Sequence, residues 1–260
     1  MSIIKHVSNL VKHPGEMPLR VIDRFMRGRT KIFVSKRTQE INDRERDDLF
    51  RRFGDITSLV DEARQVPTFV YLRKKSTDAS VDGRSPFRQT SSFADLVTMY
   101  VLIRLLQPRV MVETGVYYGG FSSIILYAMK QNGFGQLYSI DLPVEGDGLS
   151  AELRGSLVPD ELRQDWQLIL GDSRVELPKL LYQQGQIDAF NHDSVHTTSF
   201  MSWEYETAWP YIRPGGFISS HDVLMSRAWG RFLKRHESEI EWAGRVFVFG
   251  MAQKRPYNVS

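Results

Sequence analysis

The chain has 260 residues, with 34 Lys and Arg against 31 Asp and Glu, and 42% hydrophobic, 12% aromatic and 25% charged side chains; these proportions exclude intrinsic disorder and fibrous repeats. It holds no cysteine, which removes disulfides, thiolate metal sites and cysteine nucleophiles and leaves oxygen and imidazole as ligands for any metal. The opening MSIIKHVSNLVKHPGE has no apolar run of signal-peptide length, and nowhere do about 18 apolar residues follow one another, so a soluble, cytoplasmic protein is expected.

Residues 1–37 carry nine Lys and Arg against Glu16 and Asp23, whereas residues 76–260 carry 17 basic against 21 acidic residues. Such a basic arm reads as a solvated surface, or as a contact for an anionic acceptor or a membrane surface. Only Phe25 and Phe33 interleave with it, too few to stack bases, and no nucleic-acid partner is expected. Pro18 to Gly28 has helical spacing of Leu19, Ile22, Phe25 and Met26, and Lys31–Ser35 is a short extended piece. Leu49, Phe50, Phe53, Ile56, Leu59, Val60 and Ala63 predict a helix over 44–66 in spite of Gly54. The polar run 74–91 is a loop or hinge, which divides a helical extension or lid, 1–84, from a domain over 85–260. The extension would cover a substrate or build a homo-oligomer, with Thr77 to Arg84 gating access.

Beyond Arg84 helix and strand alternate, the rhythm of a parallel sheet wrapped by helices. Helices are predicted over 93–106, 121–131, 174–183, 198–211 and 225–236, with a charged helical stretch before the third strand. Strands are predicted over 110–114, 136–140, 166–170, 187–191 and 217–220, the last after a turn at Pro214-Gly215-Gly216, with a final pair near 246–253.

In such a sheet ligands bind beyond the carboxyl ends of the strands. Those ends read Glu113-Thr114-Gly115 followed by Tyr117-Tyr118-Gly119-Gly120, then Asp141, Asp172-Ser173, His192-Asp193-Ser194 and His221-Asp222. Any one of these acids is accounted for as a helix cap or solvated turn; one at every strand end makes a site. A dinucleotide loop needs a glycine where Tyr117 stands, to let the backbone approach a pyrophosphate. A ligand without phosphate, such as S-adenosylmethionine, has no such need. Asp141 is placed to accept from a ribose diol, with Asp172 and Ser173 meeting the adenine edge. His196 reads either as a general base or as a cap on the helix that follows; His221 is a second candidate base, and His192 packs. Trp203, Tyr205 and Trp209 read as packing against the sheet.

The runs SPFRQTSSFADLVTMYVLIRLLQPRVMVETGVYYGGFSS, LYSIDLP and IDAFNHDSVHTTSFMSWEYETAWPYIRPGGFISSHDV resemble the class I S-adenosylmethionine-dependent methyltransferases, in the small-molecule O-methyltransferase branch of the cephalosporin hydroxylase and macrocin O-methyltransferase types. The resemblance spans 86–253. It implies a Rossmann-like, seven-stranded sheet with an antiparallel last strand, and methyl transfer to a hydroxyl of a small molecule such as a sugar or polyhydroxylated natural product. It implies that Glu113, Gly115 and Gly119, with Tyr117 and Ser122 beside them, shape the methionine pocket, that Asp141 holds the ribose, and that Asp172 and Ser173 hold the adenine. Gln89 matches a glutamine near the cofactor, and Asp193 borders it. The branch often uses a divalent cation such as Mg2+; the positions matching its ligands are Asp193 and Asp222, with His221 where relatives carry an acid. Imidazole suits Mg2+ poorly, so a metal-independent enzyme with a histidine base, or a cofactor-binding protein whose catalytic residues have drifted, are the alternatives.

Overall fold

The computed structural model describes residues 52–77, 93–143, 151–246 and 248–256, residues 73–77 by backbone alone. The basic arm, the segment 18–35, Gln89 and the loop 78–92 lie outside the described residues.

Two helices, α1 (Thr57–Gln65) and α2 (Pro67–Thr77), precede α3 (Phe93–Leu106). The helix predicted over 44–66 is therefore interrupted: Gly54 takes a φ of +82°, open to glycine at little cost, and α1 starts only at Thr57, whose amide is capped by Asp55 Oδ1 at 2.9 Å. The helical course then resumes after Val66 with Pro67 in the first position of α2, where a missing N–H costs nothing, so residues 74–77 of the predicted loop are helical.

The alternation that follows gives β1 (Val110–Thr114), α4 (Gly120–Asn132), β2 (Gln136–Asp141), β3 (Trp166–Leu170), α5 (Ser173–Gln184), β4 (Ile187–His192), α6 (Thr198–Ala208), β5 (Ile212–Ser220), α7 (Ala228–Arg235), β6 (Ile240–Val246) and β7 (Phe249–Lys254). The seven strands form one sheet in the order β3-β2-β1-β4-β5-β7-β6. The pairs from β3 through β5 are parallel, and β7 runs antiparallel to both its neighbours. Parallel strands are covered on both faces, and successive residues show it. Met111, Leu137, Ala189 and Phe217 face a layer built by α1 to α4. Val112, Ile140, Phe190 and Ile218 face the layer of α5 to α7. Residues 52–77 thus contribute to the main core, through Ala63, Val66, Phe69 and Leu72.

The helix predicted over 225–236 spans Ala228–Arg235 and the final strand pair starts at Ile240, well before 246; three other differences from the sequence reading have local reasons. β5 begins at Ile212, not after the glycines: Ile212 pairs with Ile187 but the next partner of β4, Ala189, is Phe217, so Arg213–Gly216 form a bulge inside the strand. A Cβ at Gly216 would lie 2.4 Å from Asp188 O, which is why glycine stands there. The helix predicted to Tyr211 turns to a 3-10 turn, Trp209–Tyr211, at Pro210, and the charged stretch before β3 is a 3-10 helix, Asp160–Asp165. At the amino ends of the central strands Asp188 Oδ2 accepts from the amides of Arg109 and Val110 at 2.9 and 2.8 Å and its other oxygen meets Arg213, pinning the start of β1 to β4. Among the described residues no helix is long and apolar enough to cross a membrane.

Candidate functional site

At their carboxyl ends the central strands extend their ladder by one rung each, and this fixes where the following loops begin. Gly115 N donates to Ile140 O at 2.9 Å, Gly171 N to Asp141 O at 2.8 Å, Asp193 N to Thr114 O at 2.8 Å and His221 N to His192 O at 2.9 Å. The sheet order reverses between β1 and β4, the crevice where open α/β sheets take ligands. There Gly115, at φ +84°, lies so near the β4 loop that a Cβ would sit 2.1 Å from Asp193 O. Two of the three non-glycine residues with positive φ among the described residues, Tyr117 at +52° and Asp222 at +53°, belong to these loops. Such conformations cost about 1–3 kcal/mol and gather at functional sites.

Glu113, next to last in β1, is wholly buried. Its Oε2 accepts from Ser122 Oγ at 2.5 Å and Ser139 Oγ at 2.8 Å, while Oε1 is buried with no hydrogen-bond partner among the described residues. Burial pushes its carboxyl up to about 7, against the two hydroxyls and with the help of Asp193 and Asp141. Native Glu113 thus holds its proton more tightly than in the unfolded chain, where the ordinary value is 4.5. The stability this gives is complete below about 4.5 and lost as pH rises through about 7. Glu113→Gln, which cannot ionise, is expected to flatten this part of the profile: from pH 5 to 8 the unfolding midpoint of the wild type should fall more than that of the variant. Parallel slopes by calorimetry would contradict it.

Asp141 accepts from Tyr117 N at 3.1 Å and from Arg154 Nη1 at 2.7 Å. Asp172 is the N-cap of α5, accepting from Arg174 N at 2.9 Å and from the Arg174 side chain at 2.6–3.1 Å; the capping reading of this residue is the one observed. Ser122 and Ser173 spend their hydroxyls inside the protein, on Glu113 and on Glu204 at 2.6 Å. Tyr117 and Tyr118 meet edge to face at 4.7 Å.

Beyond β4 and β5 the candidate catalytic groups converge. Asp193 Oδ1 lies 3.4 Å from His196 Nε2 and 3.1 Å from His221 Nδ1. Asp222 Oδ2 is 3.6 Å from His196 Nδ1 and 3.7 Å from His221 Nδ1. The helix cap is supplied by Thr197, whose Oγ1 accepts from Phe200 N, so His196 is not the cap. Burial opposes the charge of Asp193, yet His221 and His196 hold its carboxyl well below the usual carboxylate range. Burial likewise opposes the imidazolium of His221, yet Asp193, Asp95 and Asp222 raise it well above 6.5.

Two carboxylates that the sequence reading passed over belong here. Asp95 of α3, fully buried, reaches His221 Nε2 with Oδ2 at 3.4 Å. Glu204 of α6, also fully buried, joins three strand ends: it accepts from Thr114 Oγ1 at 2.6 Å, Ser173 Oγ at 2.6 Å and Ser194 Oγ at 3.0 Å, and meets His192 Nδ1 at 2.5 Å. Their spacing carries the signal. Glu204 stands three residues after Met201 and four before Ala208, and Asp95 four before Met99, all of them buried, so each acid is on a helix face turned to the interior.

Asp193, His196 and His221 each offer an atom within 4.8 Å of the others'. The predicted ion set of Asp193, Asp222 and His221 is thus rearranged: His196 is in the cluster and Asp222 stands at its margin. Two imidazoles and one carboxylate suit a borderline ion such as Mn2+, Fe2+ or Zn2+ better than Mg2+. For an adenosyl ligand, the orphaned Glu113 Oε1 and the acids at the ends of β2 and β3 offer fitting acceptors for its amino and hydroxyl groups.

Comparison with known proteins agrees with this frame. Residues 112–223 match the model of a methyltransferase domain family. No curated protein matches the sequence. Among solved structures, the S-adenosylhomocysteine-bound methyltransferase PaMTH1 of Podospora anserina superposes with a TM-score of 0.52 at 15% identity, over 84% of this chain and 96% of that one. The O-methyltransferase TomG of Streptomyces achromogenes, involved in tomaymycin synthesis and solved with S-adenosylmethionine, gives 0.53 at 15% identity over 79% and 98%. An O-methyltransferase of Bacillus cereus in complex with S-adenosylhomocysteine gives 0.50 at 14% over 76% and 91%. The match to a methyltransferase-domain family thus covers β1 to β5, and the fold around it is the one shared by these methyltransferase structures.

Proposed function

We propose that the protein transfers the methyl group of S-adenosylmethionine to a hydroxyl oxygen of a small polyhydroxylated molecule such as a sugar. The observation that carries this reading is the Asp193 carboxylate set 3.4 Å from His196 and 3.1 Å from His221, beside a glycine loop in a methyltransferase sheet. The O-methyltransferases among its structural neighbours support oxygen as the nucleophile.

In this reading Asp141 and the Asp172-Ser173 turn hold the nucleoside, and Glu113 with Gly115 and Gly119 shapes the methionine end. The bound sulfonium supplies an electrophilic methyl carbon and a neutral thioether as leaving group. Asp193 faces His196 Nε2 and so favours the tautomer with its hydrogen there, leaving the Nδ1 lone pair to take the acceptor's hydroxyl proton. As that proton leaves, the oxygen bonds to the methyl carbon and the carbon–sulfur electron pair returns to sulfur. The fixed loop starts would set where these side chains meet the acceptor and the methyl donor, the positioning on which such transfers depend.

The clustering of Asp193, His196 and His221 favours one second reading, in which the three hold a divalent ion that would acidify the acceptor hydroxyl. Both readings share a first test, calorimetric scanning with S-adenosylhomocysteine. At about 100 times its dissociation constant the ligand adds about 2.7 kcal/mol and should raise the midpoint by roughly 5–10 °C, with no shift from NADH. Turnover on a panel of sugars then separates the two: activity that survives EDTA supports the histidine base, and activity restored only by Mn2+ or Zn2+ supports the ion. Binding without turnover would point to a protein that holds the cofactor and does not use it. No shift with the adenosyl ligand would refute the proposal.

A further inference from the structure

The chain returns from the end of β2 through a 3-10 turn, Ala151–Leu153, and the next residue, Arg154, is buried at 4% exposure. Its Nη1 donates to Asp141 Oδ2 at 2.7 Å, and the same oxygen accepts from Tyr117 N at 3.1 Å. The residues that follow Arg154 clasp the glycine loop: Gly155 N donates to Tyr117 O at 2.9 Å and Leu157 N to Tyr118 O at 2.8 Å. The clasp is close. A Cβ at Gly119 would lie 2.9 Å from Gly155 Cα, and one at Gly155, φ +69°, would lie 2.2 Å from the Trp166 ring. Arg154 therefore leaves a pinned backbone beside the acid that ends β2.

Burying a guanidinium is costly unless it is paired, so a buried arginine on this carboxylate has a job that a surface cation would not. A carboxylate has about four lone-pair sites. Arg154 and Tyr117 N share one oxygen and the Val116 amide also bonds the carboxylate, which still leaves acceptor capacity on Asp141 for a diol. Burial alone pushes Asp141 toward its proton, and Arg154 is the largest influence opposing it; a protonated acid would accept poorly.

We propose that Arg154 is a positioning residue of the nucleoside subsite, holding the Asp141 carboxylate toward the ribose diol and so setting the preference for ribose over deoxyribose ligands. The inference rests on the reading of Asp141 as the ribose acceptor. The test is calorimetric titration of the full chain with S-adenosylhomocysteine and with its 2′-deoxy analogue. The wild type should bind the ribose ligand about tenfold more tightly, as expected for a hydrogen bond to a charged acceptor. Arg154→Met should lose about tenfold for the ribose ligand and little for the deoxy one, so that the ratio collapses toward one. Arg154→Lys should restore part of it, and in an Asp141→Asn background Arg154→Met should cost nothing further.

Equal weakening of both ligands would mean that Arg154 merely supports the fold, and tighter binding of the ribose ligand would mean that it occupies the ribose's place; each overturns the proposal. If Arg154→Met does not fold, Arg154→Lys decides: a ratio between those of wild type and Asp141→Asn supports the proposal, and an unchanged wild-type ratio refutes it. A wild type that binds neither ligand removes the functional reading and this inference together. A wild type that binds both, with ratios unaltered in the Arg154 variants, removes this inference alone.

Discussion

His196→Asn is expected to lower kcat/KM for methyl transfer by about 10²–10⁴-fold, the usual contribution of a positioned proton acceptor, while binding of S-adenosylhomocysteine stays within about twofold. The amide is close in size to the imidazole and keeps polar contact with Asp193, now 3.4 Å from His196 Nε2, but it has no lone pair basic enough to take a hydroxyl proton. The groups proposed to hold the cofactor, Glu113, Asp141 and the Asp172-Ser173 turn, are on other strand ends, which is why binding should be spared. A loss of turnover under tenfold would remove His196 as the base. Measured with and without EDTA, the same variant separates the two chemistries. A base role predicts wild-type turnover indifferent to chelation. An ion role predicts that wild type is already silenced by EDTA and that the variant needs far more added ion for whatever activity it keeps, because one of three ligands has gone.

Much of this arrangement was legible in the chain before it was folded. β1 and β3 coincide with the predicted runs and β2 and β4 are one residue longer, because continuous apolar runs between Pro, Gly and Asn punctuation leave little choice in a sheet covered on both faces. The acids at the strand ends were found the same way, from the place where each run stops. β5 was misjudged because Pro214-Gly215-Gly216 has the composition of a turn, and only contact with Asp188 shows that the glycines are a bulge beside β4. Glu204 and Asp95 were missed because an acid in a helix is ordinarily read as solvated. Each is buried by partners about 30 to 130 residues away in sequence, such as Thr114, Ser173 and His221. Arg154 had no signal at all: its meaning comes from a loop-to-loop clasp that no periodicity records.

Glu204→Ala should produce the largest loss of stability. The wild-type carboxylate is the shared acceptor of Thr114, Ser173 and Ser194 and the partner of His192, all buried or nearly so. Truncation leaves these groups facing a cavity. His192 suffers most, since its Nε2 is already buried without a hydrogen bond among the described residues and Nδ1 would lose its one acceptor. Breaking such a buried charged network costs about 3–5 kcal/mol, which for a chain of this size lowers the unfolding midpoint by roughly 6–20 °C. Glu204→Gln keeps the volume and one carbonyl oxygen, and the hydroxyls can turn to accept from its amide, so it should lose distinctly less. Its difference from the wild type also has a defined pH dependence. Burial opposes ionisation of Glu204, but His192, Ser173 and Thr114 hold its carboxyl below the ordinary 4.5. A depressed native value means that the stabilisation is present above about 4.5 and fades as pH falls through the native value. The gap in midpoint between wild type and Glu204→Gln should therefore be constant through neutral pH and narrow in acid. A gap that widens in acid would mean that Glu204 is buried as the neutral acid, and that the three strand ends are held together by hydrogen bonds without the charge.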